Sequence, residues 1–164
     1  MLNLTPKELT ADTFSQYGEV VDIDSSREKF SMNYGMATRY FNIADIDVAE
    51  QGGSTCISIV KSNAIALPFS PKVMEYHPLG SQLFYPLCDS AFLILVAPRS
   101  NTLDETKIEL FISHGKQGVN YHKGVWHHYL MPLQNDSQFM VVDRKANDNN
   151  CVEAILSLDI ILNL

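Results

Sequence analysis

Short runs of β-forming residues, each closed by turn chemistry, set the limits on what this chain can fold into. TCISIV (Thr55 to Val60) is rich in β-branched residues, and AFLILVA (Ala91 to Ala97) is an unbroken apolar run suited to a buried strand. IELFI (Ile108 to Ile112), VWHHYL (Val125 to Leu130) and FMVVD (Phe139 to Asp143) read as further strands. Turns fall at Gly52-Gly53, Pro78 to Gly80, Pro98 to Asn101, Gly115 to Gly118 and Asn147 to Asn150. The clearest helix signal is TADTFSQYG: Thr10 can cap it, Phe14 and Tyr17 lie three apart on one face, and Gly18 ends it. Strands this short and evenly spaced predict an all-β sandwich or barrel, with the helix as an N-terminal accessory. No repeat, low-complexity stretch or linker interrupts the pattern, so residues 1–164 read as a single domain.

Charge narrows the partners. The net charge of -7, with lysines and arginines scattered, speaks against nucleic acid or an anionic membrane, which need a concentrated basic surface. An anionic small molecule fits, because a few placed cations outweigh a negative surface inside a pocket. Cys56, Cys88 and Cys151 are odd in number and lack CxxC spacing, so reduced thiols are expected rather than a disulfide framework or zinc knuckle. The N-terminus has no basic segment followed by an apolar one, and no apolar run approaches the ~20 residues of a membrane helix. A soluble, cytoplasmic protein is expected.

The unusual polar residues collect in two stretches. In MEYHPLGSQLFYPL (Met74 to Leu87), Glu75 and His77 are two apart and face the same side of a strand. Pro78 to Ser81 then turns the chain, and Gln82 begins a strand expected to return beside the first. In GVNYHKGVWHH (Gly118 to His128), Lys123-Gly124 forms a turn, after which Trp126 and His128 share one face and His127 takes the other. Trp126 reads as a packing residue, given the area an indole buries, and an outward His128 as structural. Glu75, His77, Gln82 and His127 together have a spacing with a chemical use.

That spacing resembles the two cupin motifs. In the first, Glu75 stands for the first histidine of His-x-His, His77 is the second, and Gln82 replaces the following glutamate. In the second, Pro-x-Gly-x-x-His, His122 stands where proline is usual and His127 takes the ligand position. A more extended similarity joins E-x-H-P-L-G-S-Q-x-F-x-P to G-V-N-Y-H-x-x-V-W-H-H, with FSQYGEVV, NYGMATRYFNI and DRKANDNNCVE in order from about Phe14 to Glu153. This combination is similar to the ureidoglycolate lyase family. The departures are Lys61 where an arginine is expected, Asp89 where glycine is usual, and Tyr129 where proline is common.

The resemblance implies a cupin-like double-stranded β-helix, or jelly-roll barrel. It also implies cleavage of (S)-ureidoglycolate to glyoxylate and urea, a late step in using allantoin nitrogen. On that reading Glu75, His77, Gln82 and His127 surround the hydroxyl-bearing carbon, and His122 serves the other proton transfer or orients a neighbour. A divalent metal such as nickel would be held by the same four residues; without one, His77 or His127 acts as the base directly. Arg39 is the favoured anchor for the substrate carboxylate, with Lys61 and Arg144 as the other candidates and Asn33 adding a hydrogen bond. A homodimer is expected. The competing readings are a metal-dependent isomerase or dioxygenase on the same fold, and a non-catalytic cupin that binds a small carboxylate.

Overall fold

The computed structural model describes residues 2–164. Four strands and a helix lead in: β1 (Leu2–Leu4), β2 (Lys7–Glu8), α1 (Ala11–Phe14), β3 (Gly18–Val21) and β4 (Glu28–Met32). The middle of the chain forms β5 (Ala37–Phe41), β6 (Ser54–Ser62), β7 (Val73–Tyr76), β8 (Gln82–Pro86), β9 (Phe92–Ala97) and β10 (Glu109–Ile112). The last part forms β11 (Gly118–Tyr121), β12 (Trp126–His127), β13 (Met131–Pro132), β14 (Ser137–Lys145), β15 (Val152–Ile155) and β16 (Ile160–Leu162). No described helix is long and apolar enough to cross a membrane.

Two sheets make a cupin-like barrel. One runs β15-β7-β12-β9-β10-β2, with β13 also on β9; the other runs β3-β11-β8-β14-β6. The apolar run on β9 explains the layering. Successive side chains of a strand point to opposite faces, and here both faces are covered. Phe92, Ile94 and Val96 join Phe14, Tyr17, Phe111, Val119 and Phe139 inside the barrel. Leu93, Leu95 and Ala97 join Met74, Trp126, Ile160 and Leu162 in an outer layer. That layer is sealed by the chain's two ends, where β1 pairs with β16 in parallel.

The expected helix is shorter than its signal. Thr10 caps it with a full capping box, but the chain leaves the helix after Phe14 and closes a tight turn, Tyr17 N–H to Phe14 carbonyl at 2.8 Å. Phe14 and Tyr17 are still buried, which is what their spacing requires. Gly18 opens β3 for a steric reason: a Cβ there would sit 1.9 Å from the Asn120 carbonyl oxygen.

Two strand expectations are corrected. Gln82 does not bring its strand back beside β7; the Pro78–Ser81 turn carries the chain across the barrel, and β8 pairs with β11 and β14 in the opposite sheet. The expected strand from Val125 to Leu130 shortens to Trp126–His127, because one residue is extra. Against β9 the pairing is Trp126 with Ala97 and His127 with Val96, yet Met131 with Leu93 and Pro132 with Phe92. Three residues lie between His127 and Met131 but only two between Val96 and Leu93, so a β-bulge falls in between. His128 N–H still reaches the Leu95 carbonyl at 2.9 Å, which places the extra residue at Tyr129. The bulge resets the alternation. Leu130 packs on the inner cluster and Met131 joins the outer one, the reverse of an unbulged strand.

Candidate active site

One end of the barrel holds the polar cluster. His127 lies directly opposite Glu75 in the β12–β7 pair, so both side chains share the inner face. His77 follows β7 by one residue and points the same way as Glu75. Glu75 Oε1 lies 3.5 Å from His127 Nε2 and 3.8 Å from His77 Nε2, and the two imidazole rings are 5.2 Å apart. Gln82 arrives from the facing sheet, close enough to His77 to favour the charged ring. The wrong strand partner was expected, but the residues meet: the barrel brings them together across its width rather than along a hairpin.

Hydrogen bonding fixes which ring nitrogens are available. His77 Nδ1 is 2.6 Å from the Asn150 carbonyl, and His127 Nδ1 is 3.0 Å from the Val125 carbonyl. A carbonyl only accepts, so both Nδ1 atoms carry hydrogen and both Nε2 atoms face the cluster. These Nε2 atoms and Gln82 Oε1 are buried without a hydrogen-bond partner. Electron-rich atoms so arranged need a positive charge among them, either a proton on one imidazole or a metal ion. Burial alone would raise the pKa of Glu75, but His127 and His77 hold it below the ordinary carboxylate range. Burial, and then the neighbouring His127, push His77 below the usual imidazole value.

Glu75, His77 and His127 offer ligand atoms within 4.8 Å of one another, a set able to hold a divalent cation. The backbone carbonyls behind both rings supply the orientation that metal-bound histidines ordinarily have. The orphaned Nε2 atoms fit such an ion.

Two neighbours of the cluster were not anticipated. The Tyr121 ring stacks on His127, with centroids 4.3 Å apart and 9° between planes, and burial raises its hydroxyl pKa above the ordinary value. Cys151 Sγ donates to Glu75 Oε2 at 3.5 Å. Strand alternation in GVNYH holds the signal for Tyr121: if Val119 faces inward, so does Tyr121, and Asn120 and His122 face out. Cys151 carries no such signal, since it sits in a loop closing from the far end of the chain.

The same alternation corrects His122. It lies outside the barrel, its Nε2 2.8 Å from Glu19 Oε1 in an outer groove, rather than among the cluster residues. Arg144 is also corrected. Its side chain is 1% exposed and gripped by Asp148 through both terminal nitrogens and by the Glu50 carbonyl, which leaves no fork for a substrate. Lys61 is on exposed β6 and pairs with Asp136 at 2.6 Å. Arg39 and Asn33 belong to an exposed hairpin formed by β4 and β5, where Asn33 takes a left-handed conformation (φ 52°) at the tip. Trp126 packs on Tyr76 in the outer layer and donates to the Ser100 carbonyl, and His128 sits edge-on to Phe69. Neither points into the cluster. Gly124 gives the turn before them its left-handed φ of 82°.

A family model described as ureidoglycolate lyase matches residues 1–163. The chain is 39% identical over 153 residues to a ureidoglycolate lyase of Pseudomonas syringae pv. tomato, covering 93% of this chain and 89% of that one. A ureidoglycolate lyase of Pseudomonas putida is 40% identical over 153 residues, with 93% and 91% covered. One from Pseudomonas fluorescens is 36% identical over 159 residues, with 97% and 95% covered.

Proposed function

The chain belongs to the ureidoglycolate lyase family, and we propose that it cleaves (S)-ureidoglycolate to glyoxylate and urea at the cluster of Glu75, His77, Gln82 and His127. The observation that supports this placement is the convergence of two bare imidazole Nε2 atoms and a carboxylate within 4.8 Å of one another.

The substrate carbon bears both a hydroxyl and a ureido nitrogen. Removing the hydroxyl proton lets oxygen form the aldehyde carbonyl while the carbon–nitrogen bond breaks. Its electron pair leaves with nitrogen, which takes a proton and departs as urea. His77 suits the first transfer, because burial keeps it neutral with Nε2 free to accept. His127 enters protonated at Nε2, its imidazolium stabilised by ionised Glu75, and gives that proton to the departing nitrogen, leaving the ring neutral. Tyr121 fixes the His127 ring plane by stacking. Gln82 Oε1 accepts a hydrogen bond from the substrate. In the alternative form of this reading Glu75, His77, His127 and Gln82 would hold a divalent ion such as nickel, which would supply the Lewis acidity that lowers the hydroxyl pKa, in place of proton transfer at the free Nε2 atoms. The reading includes a cytoplasmic homodimer.

The test follows urea, glyoxylate and ammonia released from (S)-ureidoglycolate by the purified protein. Equal urea and glyoxylate without ammonia is the expected result. Ammonia in place of urea means an amidohydrolase, and no acceleration over background with or without divalent metals sinks the assignment.

A further inference from the structure

We propose that the β4–β5 arm of a second copy lies along the free edge of β6 and brings its Arg39 to the mouth of the first copy's cluster, so that each active site is built from two chains. The inference rests on the proposed substrate being a carboxylate.

Three features of the one chain lack a counterpart within it. The first is the arm. Every residue of β4 and β5 is exposed, and a two-stranded hairpin is marginal in water unless packed on something. Directly paired residues share a face, so Glu28, Phe30, Met32, Ala37, Arg39 and Phe41 line one side, apolar but for Glu28 and Arg39, which form no ion pair with each other. Phe30 and Phe41 lie 5.7 Å apart, and Tyr34 and Met36 at the tip are 108% and 88% exposed. An apolar face of this kind calls for a cover.

The second is the edge. β6 is nine residues long and pairs on one side only, with β14. Ile57 and Ile59 on its outer face are 68% and 58% exposed, and its unpaired backbone edge is a template for another strand. Val60 pairs with the buried Phe139 and so faces inward, yet is 38% exposed, which leaves the barrel wall open there.

The third is the site's missing cation. The cavity beside the cluster, about 230 Å³, is lined by His77, Gln82, Asp143, Arg144, Asn150 and Cys151 together with Ser81. Its acids, Asp143 and nearby Glu75, repel an anionic substrate, and its one cation, Arg144, is already held by Asp148. Asp143 lies opposite Cys56 on β6, so the open edge borders this cavity. A strand added to β6 would stand two strand spacings, ~10 Å, from β14.

Arg39 joins these features. Its guanidinium lies 5.0 Å over the Phe41 ring, and it has no carboxylate partner among the described residues. Covering the arm's apolar face buries Arg39 with it, and a buried arginine needs an anion. The substrate carboxylate meets that need through two parallel hydrogen bonds. A two-fold exchange supplies base, strand and cation to both copies at once.

Mixing separates this arrangement from a site made within one chain. Arg39→Ala and His127→Ala variants are each expected to be nearly inactive. Co-expressed in equal amounts, half of the dimers are mixed and each carries one complete site, so activity should return to about a quarter of wild type. No recovery would overturn the exchange. A second readout does not depend on turnover. With Cys56 and Cys88 replaced by Ser, Arg39→Cys should be joined to Cys151 of the other chain by a short bis-maleimide, giving a covalent dimer that Cys151→Ser abolishes. A dimer that persists without Cys151, or a wild-type protein that sediments as a monomer at micromolar concentration, defeats the proposal. If wild type leaves ureidoglycolate intact while the cross-link forms, the reaction assignment fails and the exchanged arm stands.

Discussion

Two histidines five residues apart have opposite fates, and strand alternation alone separates them. His127 faces Glu75 inside the barrel, while His122 faces Glu19 in an outer groove. Replacing His127 with Ala should lower the rate of urea release about 10²–10⁴-fold in a folded protein. Replacing His122 with Ala should leave the rate within about threefold of wild type, because no proton transfer passes through it; a loss as large as that of His127→Ala would refute this placement. The His122–Glu19 pair shows instead in stability. The hydrogen bond His122 donates to Glu19 raises the His122 pKa despite partial burial, so His122 contributes below its unfolded value near 6.5 and ceases to as pH rises through its raised folded value. Burial alone would raise Glu19, but hydrogen bonds from His122 and Asn120 hold it low, and its contribution fades as pH falls through that value. The pair therefore stabilises most between about pH 4.5 and 6.5, by at most ~1 kcal/mol for groups this exposed. Urea unfolding of wild type and His122→Ala should differ at pH 5.5 and converge at pH 8.5.

Strands were legible where burial imposes a pattern or where composition favours extension. The β9 run and the apolar centre of β14 announced themselves because one or both faces meet other residues, whereas β6, nearly all exposed, was read from its β-branched residues alone. The arm strands β4 and β5 were not legible: every position is exposed, and the alternation of Lys29-Phe30-Ser31-Met32 is too short to mark a strand by itself. The bulge at Tyr129 was hidden for another reason, since it is a mismatch between the register of β12 and that of β13 against a third strand. Its place can be tested by two changes at one position. Tyr129→Ala should cost under about 1 kcal/mol, because the side chain is 43% exposed and bonds only Glu153. Deleting Tyr129 should leave the protein folded: it removes the extra residue, so His128 stays opposite Leu95, Leu130 falls opposite Ile94 and Met131 stays opposite Leu93, each on its present face. A deletion variant that unfolds, where Tyr129→Ala does not, would mean that the extra residue lies elsewhere.

At the scale of the whole molecule, the site depends on how far-separated segments are tied at the barrel's open end. Glu75, His77 and His127 were legible because each stands on a strand whose alternation can be read locally. The hold on His77 was not, because it runs through a loop 70 residues away. Arg144 is threaded between Gly53 and Gly80, where a Cβ would lie 2.3 Å from its Nε and 2.8 Å from its Cβ respectively. By gripping Asp148 and the Glu50 carbonyl it sets the loop to Asn150. Asn150 in turn accepts from His77 through its carbonyl and from Leu79 N–H through its side chain. Arg144 is thus a positioning residue two links removed from the reacting atoms. Arg144→Lys keeps the charge but loses the planar fork that grips Asp148. Its kcat should fall about tenfold or more as His77 loses its fixed orientation, while KM stays near wild type. An arginine that bound the substrate carboxylate would behave the other way, since the loss of ground-state contacts raises KM first. Steady-state kinetics of this one variant therefore decides whether Arg144 touches the substrate or holds the residue that does.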